Sequence, residues 1–300
     1  MSDRDEHELR LAAPAKVNLS LRILGRRPDG YHLLDSLVTP VSLYDDLTIR
    51  FRRIGTGANM ALEVTCDSPD APGGPSNLVY RAAELFLQEV AVAGAVSIHI
   101  HKRIPVGSGL GGGSSDAATA LLGLNRVFGN PCETQRLANW AARIGSDVPV
   151  FLYGRAARVQ GVGETVTPIT LPSRLYLVVV SDGHVLSTKL VYSRVDLSLT
   201  SGQAASNILP FVSGRQPISE LLVNDLEAAA AQMHPPVLEL KSRLLEEGAL
   251  GALMTGSGSA VFGVFSNSDS ADRAAGRLRQ CGLWAESLHT LDIAASRNEL

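Results

Sequence analysis

Between Pro105 and Ser115 the chain reads Pro-Val-Gly-Ser-Gly-Leu-Gly-Gly-Gly-Ser-Ser, and five of the seven residues from 107 to 113 are glycine. Each glycine adds backbone entropy that folding must remove, so such a run is costly as a plain turn. Upstream, Val96, Ile98 and Ile100 alternate with Ser97, His99 and His101, the pattern of a half-buried strand. Downstream, helical spacing runs from Ser114 or Ser115, the expected cap, to about Phe128, where Gly129-Asn130-Pro131 stops it. A glycine-rich strand-to-helix junction lets main-chain N–H groups converge on a phosphate. The two serines add hydroxyl donors or a magnesium ligand.

The better-known cradles fail on local detail. A Walker A loop ends in Gly-Lys-Ser/Thr, and no lysine follows these glycines. Gly107, Gly109 and Gly112 satisfy G-x-G-x-x-G, and Glu133 lies near the place of a ribose-binding acid, but residues 129–131 lead into another helix and not into a parallel strand. A protein-kinase glycine loop joins two strands and needs H-R-D and D-F-G, both absent here.

A length of 300 residues favours two domains. Lys and Arg total 27 against 30 Asp and Glu, a net charge of −3, so no global field favours nucleic acid. Cys66, Cys132 and Cys281 are far apart, odd in number and read as reduced thiols. No apolar run reaches the ~18 residues of a membrane span, so a cytoplasmic protein without a membrane partner is expected, with Met1 to His7 a loose tail.

Residues Leu9 to Phe51 read as β-rich, with Arg27-Pro28-Asp29-Gly30 turning the chain between two strands. A strand near Ala61 to Cys66 and a helix Asn77 to Val90, capped by Ser76 or Asn77, precede the glycine loop. A second helix after it carries Leu137, Trp140, Ala141 and Ile144 on one face. Beyond about residue 166 come a buried strand Leu175 to Val180, an irregular stretch Thr200 to Ile218, and helices Ser219 to Met233 and Val237 to Glu247. Strands Ala249 to Met254 and Ala260 to Phe265, a helix Ser270 to Gln280 and a strand Leu283 to His289 follow. The order β, α, α, β, β, α, β is similar to a ferredoxin-like domain. A boundary near residue 165 gives an N-terminal domain, 1–165, and a C-terminal domain, 166–300.

Three separated segments, Pro14-Ala15-Lys16-Val17-Asn18-Leu19, the glycine run 105–115 leading into Asp116-Ala117-Ala118, and Thr255-Gly256-Ser257-Gly258-Ser259-Ala260, resemble the three motifs of the GHMP kinase superfamily of small-molecule kinases. Gly25-x-Arg27-x-Asp29-Gly30-Tyr31-His32 and Gly145-Ser146-Asp147-Val148-Pro149 resemble its isoprenoid-pathway branch, which acts on a diphosphocytidyl alcohol. The correspondence spans residues 12 to about 265. It implies an α+β, two-domain fold, with a ribosomal-S5-like N-terminal domain and a ferredoxin-like C-terminal domain completing the substrate cleft.

The resemblance also implies roles. Pro105, Val106, Gly107, Ser108, Gly109, Leu110, Gly111, Gly112, Gly113, Ser114 and Ser115 would hold ATP, with Mg2+ bridging its phosphates through ligands the sequence does not name. Asp147, otherwise an N-cap for a short helix, would be the catalytic carboxylate, and Lys16, otherwise a snorkelling lysine at a strand end, its adjacent cation. Asn18, on the same strand face as Lys16, would bind the substrate hydroxyl. Tyr31 and His32 would recognise the cytosine, and Tyr192, standing where the family pattern favours Phe, would be the second stacking aromatic. Residues 255–260 would bring backbone N–H groups to the site. Asn224-Asp225-Leu226-Glu227 reads as a helix start without chemistry, and the remaining histidines have no metal-ligand spacing. A monomer or weak homodimer is expected.

Two rivals remain at this level: a superfamily kinase for homoserine, mevalonate or a sugar, and an RNA-binding protein built on the N-terminal architecture. Arg50, Arg52, Arg53, Lys102 and Arg103 are few and balanced by acids, which weighs against RNA.

Overall fold

The computed structural model describes residues 6–52, 61–91, 94–198 and 208–291. β1 (Glu6–Arg26) and β2 (His32–Arg52) are each 21 residues long, and Gly30 N–H closes their turn on Arg27 O at 2.9 Å. β3 (Ala61–Cys66) precedes α1 (Leu78–Val90), where Asn77 Oδ1 accepts from Val79 N–H at 2.8 Å and is the cap. Then come β4 (Ala95–His101), α2 (Gly112–Val127), α3 (Thr134–Ile144), α4 (Val148–Phe151) and the strands β5 (Ala157–Gly161) and β6 (Thr165–Pro168). The rest is β7 (Tyr176–Ser181), α5 (Thr188–Ser193), α6 (Ile208–Val212), α7 (Ile218–Leu221), β8 (Val223–Asn224), α8 (Glu227–Met233), α9 (Pro236–Glu246), β9 (Gly251–Met254), β10 (Val261–Phe265), α10 (Ser268–Gln280) and β11 (Trp284–His289).

Contacts gather the described residues into two compact units that interleave along the chain. One comprises residues up to 15, 43–106 and 111–153; the other comprises 16–42, 107–110 and 154 onward. A boundary near 165 divides the chain once, by chain order; the units follow contacts, because β1 and β2 each run through both.

In the first unit the sheet order is β3-β4-β2-β1, with β3 parallel and β2 antiparallel to β4. Alternation aims Leu47, Ile49, Ile98 and Ile100 at the core, where they meet Phe86, Leu121 and Trp140 of the helices. His99 and His101 are on the exposed face, as the alternation requires. In the second unit β5 pairs with β2, β6 with β5, and the two-residue β8 lies parallel to β1 through Ser20–Val223 and Leu21–Asn224. A separate antiparallel sheet has the order β11-β7-β10-β9, the ferredoxin-like arrangement the element order implied. The central residues of β7, Leu177 to Val180, are apolar and fully buried, and Val178, Val180, Met254 and Val261 share a core with Leu240, Leu244, Ala274 and Leu278 of α9 and α10.

Four expectations change. Glu6 and His7 belong to β1, with Glu8 next to them paired to Arg10 and Arg50, so only residues 1–5 of the expected tail lie outside the described chain. Residues 200–207 of the irregular stretch also lie outside it, and the remainder is partly helical. The single helix 219–233 is two helices separated by β8, because the Asn224 and Asp225 side chains bind backbone N–H groups of Leu226 and Ile23 and so compete with helix. α2 starts at Gly112 with Gly111 as its N-cap, so Ser114 and Ser115 lie inside the first turn and do not cap it.

Candidate active site

In the second unit Lys16 and Asn18 share one face of β1, as a period of two demands. Lys16 is 3% exposed, so its ammonium needs acceptors inside the protein. Asn18 Oδ1 is one, at 2.6 Å from Nζ. The same oxygen accepts from Gly256 N–H at 3.0 Å and faces the Thr255 hydroxyl at 3.4 Å, while Asn18 N–H donates to Thr255 Oγ1 at 3.1 Å. Asn18 Nδ2 donates to Ser36 Oγ at 2.9 Å, and that hydroxyl donates onward to Ser20 O at 2.6 Å. The first and third motifs are therefore one hydrogen-bonded assembly. One amide hydrogen of Asn18 is left over from these bonds.

The glycine loop is fixed through its carbonyls. Ser108 O accepts from Ala260 N–H at 3.1 Å and Leu110 O from Lys16 N–H at 2.9 Å. In a trans peptide the N–H points opposite the C=O, so the N–H groups of Gly109 and Gly111 face away from those anchors. Gly109, at φ +83°, packs so closely that a Cβ would collide with Thr255 O, and only glycine fits. Gly111 adopts φ +74° and opens α2, whose first intrahelical bond is Ser115 N–H to Gly111 O at 2.9 Å. The N–H groups of Gly112, Gly113 and Ser114 thus have no acceptor within the helix, the arrangement that suits an anion.

Beside this end, in the first unit, is a buried charge cluster the sequence did not announce. Lys102 Nζ lies 2.5 Å from Asp45 Oδ2 and 2.9 Å from Asp116 Oδ2, all three side chains being at most 8% exposed. Asp45 Oδ1 also accepts from Arg103 and Ile104 N–H at 2.6 and 2.9 Å. Burial, reinforced by Asp45 and opposed by Lys102, pushes the Asp116 carboxyl up to about 7. Burial acts to lower the Lys102 pKa, but the two carboxylates outweigh it and raise it. Ser115 Oγ and Asp116 Oδ1 are buried and have no hydrogen-bond partner.

Asp147 precedes α4 with αR backbone angles and makes no side-chain cap bond to it. Val148 starts that helix with Pro149 in its first turn, and Asp147 is exposed. It belongs to the first unit, and Lys16 to the second. Tyr31 is 65% exposed at the end of the β1–β2 turn. The His32 and Tyr192 rings lie 5.3 Å apart at 40°, so the structure brings together two of the three rings assigned to the cytosine. Burial, then Arg26, lowers the His32 pKa below its ordinary value, and the ring is neutral at pH 7 with one donor and one acceptor nitrogen.

Among the described residues no group of three or more His, Cys, Asp or Glu is arranged to hold a metal ion. No described helix is long and apolar enough to cross a membrane.

Within the first unit, the open start of α2 beside buried Lys102 is the candidate phosphate site, and the comparisons say which family the chain belongs to. The family described as GHMP kinases N terminal domain matches residues 77–155, and that described as GHMP kinases C terminal matches 211–282. The chain belongs to the GHMP kinases, and its two-domain α+β architecture is theirs. Two curated relatives, from Geobacter sp. (strain M21) and Geobacter sulfurreducens, are each named 4-diphosphocytidyl-2-C-methyl-D-erythritol kinase. They are 39% and 40% identical over 92% and 95% of this chain, and 96% and 99% of their own. A crystal structure of 4-(cytidine 5'-diphospho)-2C-methyl-D-erythritol kinase superposes with TM-score 0.78 at 37% identity, over 95% of this chain and all of that one. Homoserine kinase from Cytophaga hutchinsonii superposes with TM-score 0.75 at 18% identity over 97% of this chain and 96% of its own, a likeness of fold alone.

Proposed function

We propose that this chain transfers the γ-phosphoryl group of ATP to the 2-hydroxyl of 4-diphosphocytidyl-2-C-methyl-D-erythritol, a step toward isoprenoid precursors by the non-mevalonate route. The observation that carries the substrate is nearly full-length identity of about two residues in five to kinases named for it. ATP use follows from membership of the kinase family, and a cytoplasmic location is part of the same proposal.

In this reading Asp147 accepts the proton of the substrate hydroxyl as its oxygen bonds the γ-phosphorus and the bond from that phosphorus to the bridging oxygen breaks, releasing ADP. The Lys16 ammonium stabilises the developing alkoxide, and Asn18, its oxygen already filled, offers its remaining amide hydrogen to the substrate. Tyr31 and Tyr192 stack on the cytosine while neutral His32 reads its edge. The N–H groups of residues 107–114 hold the phosphates. Ser115 Oγ, buried without a partner, fits a Mg2+ ligand or a phosphate donor. Bound Mg2+ would neutralise phosphate charge, and most of its ligands would be phosphate oxygens and water. Residues 1–165 would carry the nucleotide loop and catalytic groups and 166–300 the rest of the substrate site.

A coupled ATP assay over a panel of acceptors tests this: turnover is expected with the diphosphocytidyl alcohol and not with homoserine, mevalonate or a sugar. Turnover only with an acceptor lacking cytidine would sink the proposal. Gly111→Val tests the cradle. A side chain at φ +74° costs roughly 1–2 kcal/mol, so the start of α2 shifts and ATP-analogue affinity is expected to fall at least about tenfold. Calorimetric titration showing unchanged affinity in a folded variant would count against it.

A further inference from the structure

The segment Asn224-Asp225-Leu226-Glu227 is more than a helix start. Asn224 ends β8 and is 6% exposed. Both hydrogens of its carboxamide are committed, one to Met254 O and one to Gly256 O, each at 2.8 Å, and its Oδ1 accepts from Leu226 N–H at 2.9 Å. Glu227 Oε2 accepts from Met254 N–H at 3.0 Å, and its other oxygen is held by Lys241 at 2.5 Å. β8 itself is secured to β1, since Asp225 N–H donates to Leu21 O at 2.9 Å and Asp225 Oδ2 accepts from Ile23 N–H at 2.7 Å.

The two carbonyls that Asn224 grips belong to the Met254–Thr255 and Gly256–Ser257 peptides. Between them is the Thr255–Gly256 peptide, whose N–H donates to Asn18 Oδ1. Asn18 Oδ1 is also the acceptor of the Lys16 ammonium. Fixing the peptides on either side fixes the orientation of the one between. We infer that Asn224 is a positioning residue for phosphoryl transfer: its carboxamide sets the Thr255–Gly256 peptide, which sets Asn18, which sets the Lys16 ammonium. No other side chain of this length supplies two donors and an acceptor together. The inference rests on the proposed role of Lys16 at the reacting hydroxyl.

The test is a double-mutant cycle on the full chain. Asn224→Asp keeps the shape but turns a carboxylate oxygen toward two carbonyls, and Asn224→Ser keeps a single donor. Displacing a catalytic group by about 1 Å costs on the order of 100-fold, so kcat of Asn224→Asp is expected to fall about 30- to 100-fold, with KM for ATP and acceptor within about threefold of wild type. Asn224→Ser is expected to fall in between, and it carries the cycle if the aspartate variant does not fold by thermal melting. Combined with Asn18→Ala, either variant is expected to lose no more than about threefold beyond the worse single variant, because both act through one chain of contacts. A residue that merely supports the fold would multiply the two losses. Multiplied losses, or unchanged kcat in a folded Asn224 variant, would overturn the inference. A wild-type chain inactive toward every acceptor would instead remove the proposed function.

Discussion

Turnover of Asp147→Asn is expected to fall by about three orders of magnitude while ATP affinity stays within about twofold of wild type. The carboxamide occupies the same space but cannot accept the hydroxyl proton, and general-base removal costs roughly 10²- to 10⁴-fold. The Asp147 side chain gives no cap bond to α4, Pro149 in the first turn has no N–H to satisfy, and Val148 N–H is satisfied by Gly145 O at 3.2 Å. The start of α4 therefore does not depend on the carboxylate, and a thermal melt checks that the variant is folded. Single-turnover kinetics with saturating ATP and acceptor give the measurement. Wild-type-like turnover would transfer the base assignment elsewhere, and a parallel loss of ATP affinity would make Asp147 a nucleotide ligand.

The parts of the fold that were legible are those whose cause is local. Pro28 and Gly30 dictate a reversal wherever they occur in such spacing, Asn77 can cap only the helix that follows it, and the alternation of β4 assigns its faces. The hairpin β5–β6 was not read, since Ala157–Gly161 and Thr165–Pro168 are too short to carry a period, and β5 is held by pairing with Leu34–Val38 more than a hundred residues earlier. Arg158 on β5 grips buried Asp35 through two bonds of 2.7 and 2.9 Å, a pairing with no sequence signal. The same division holds at the site. Lys16 and Asn18 were legible as neighbours because two positions on a strand share a face. Asn224 was not, because its partners Met254 and Gly256 are backbone carbonyls, which look alike in every sequence. The serines of the glycine loop misled for a related reason: they are good caps, but Gly111, at positive φ, is the N-cap and α2 starts two residues before Ser114. His184 and His234, without metal spacing in sequence, stack with ring centres 4.0 Å apart, and His234 also bonds Asp182 at 2.6 Å.

Lys102→Met is expected to destabilise the protein by about 3–5 kcal/mol at neutral pH, the usual cost of removing one partner from a buried ion cluster. The methionine fills the volume but leaves Asp45 and Asp116 facing each other in a dry interior, with Asp116 Oδ1 already lacking a partner. The loss has a direction in pH. In the wild type the Asp116 carboxyl is raised from an ordinary 3.8 to about 7, so between those values the folded state holds a proton the unfolded chain has released. Stability from this group is therefore greatest below about 4, falls as pH rises toward 7 and is level above. Removing Lys102 removes the influence that lowers this pKa, so in the variant the fall continues to higher pH. The deficit relative to wild type is thus expected to be largest at pH 8 and to shrink on acidification to pH 5, where the carboxyl is protonated in both proteins. Urea unfolding at the two pH values measures it. A deficit under about 1 kcal/mol, or one that grows on acidification, would mean that Lys102 does not hold these carboxylates together. In that case the start of α2, and the N–H groups of Gly112, Gly113 and Ser114 with it, would owe their placement to Gly111 and the packing of Ile104 instead.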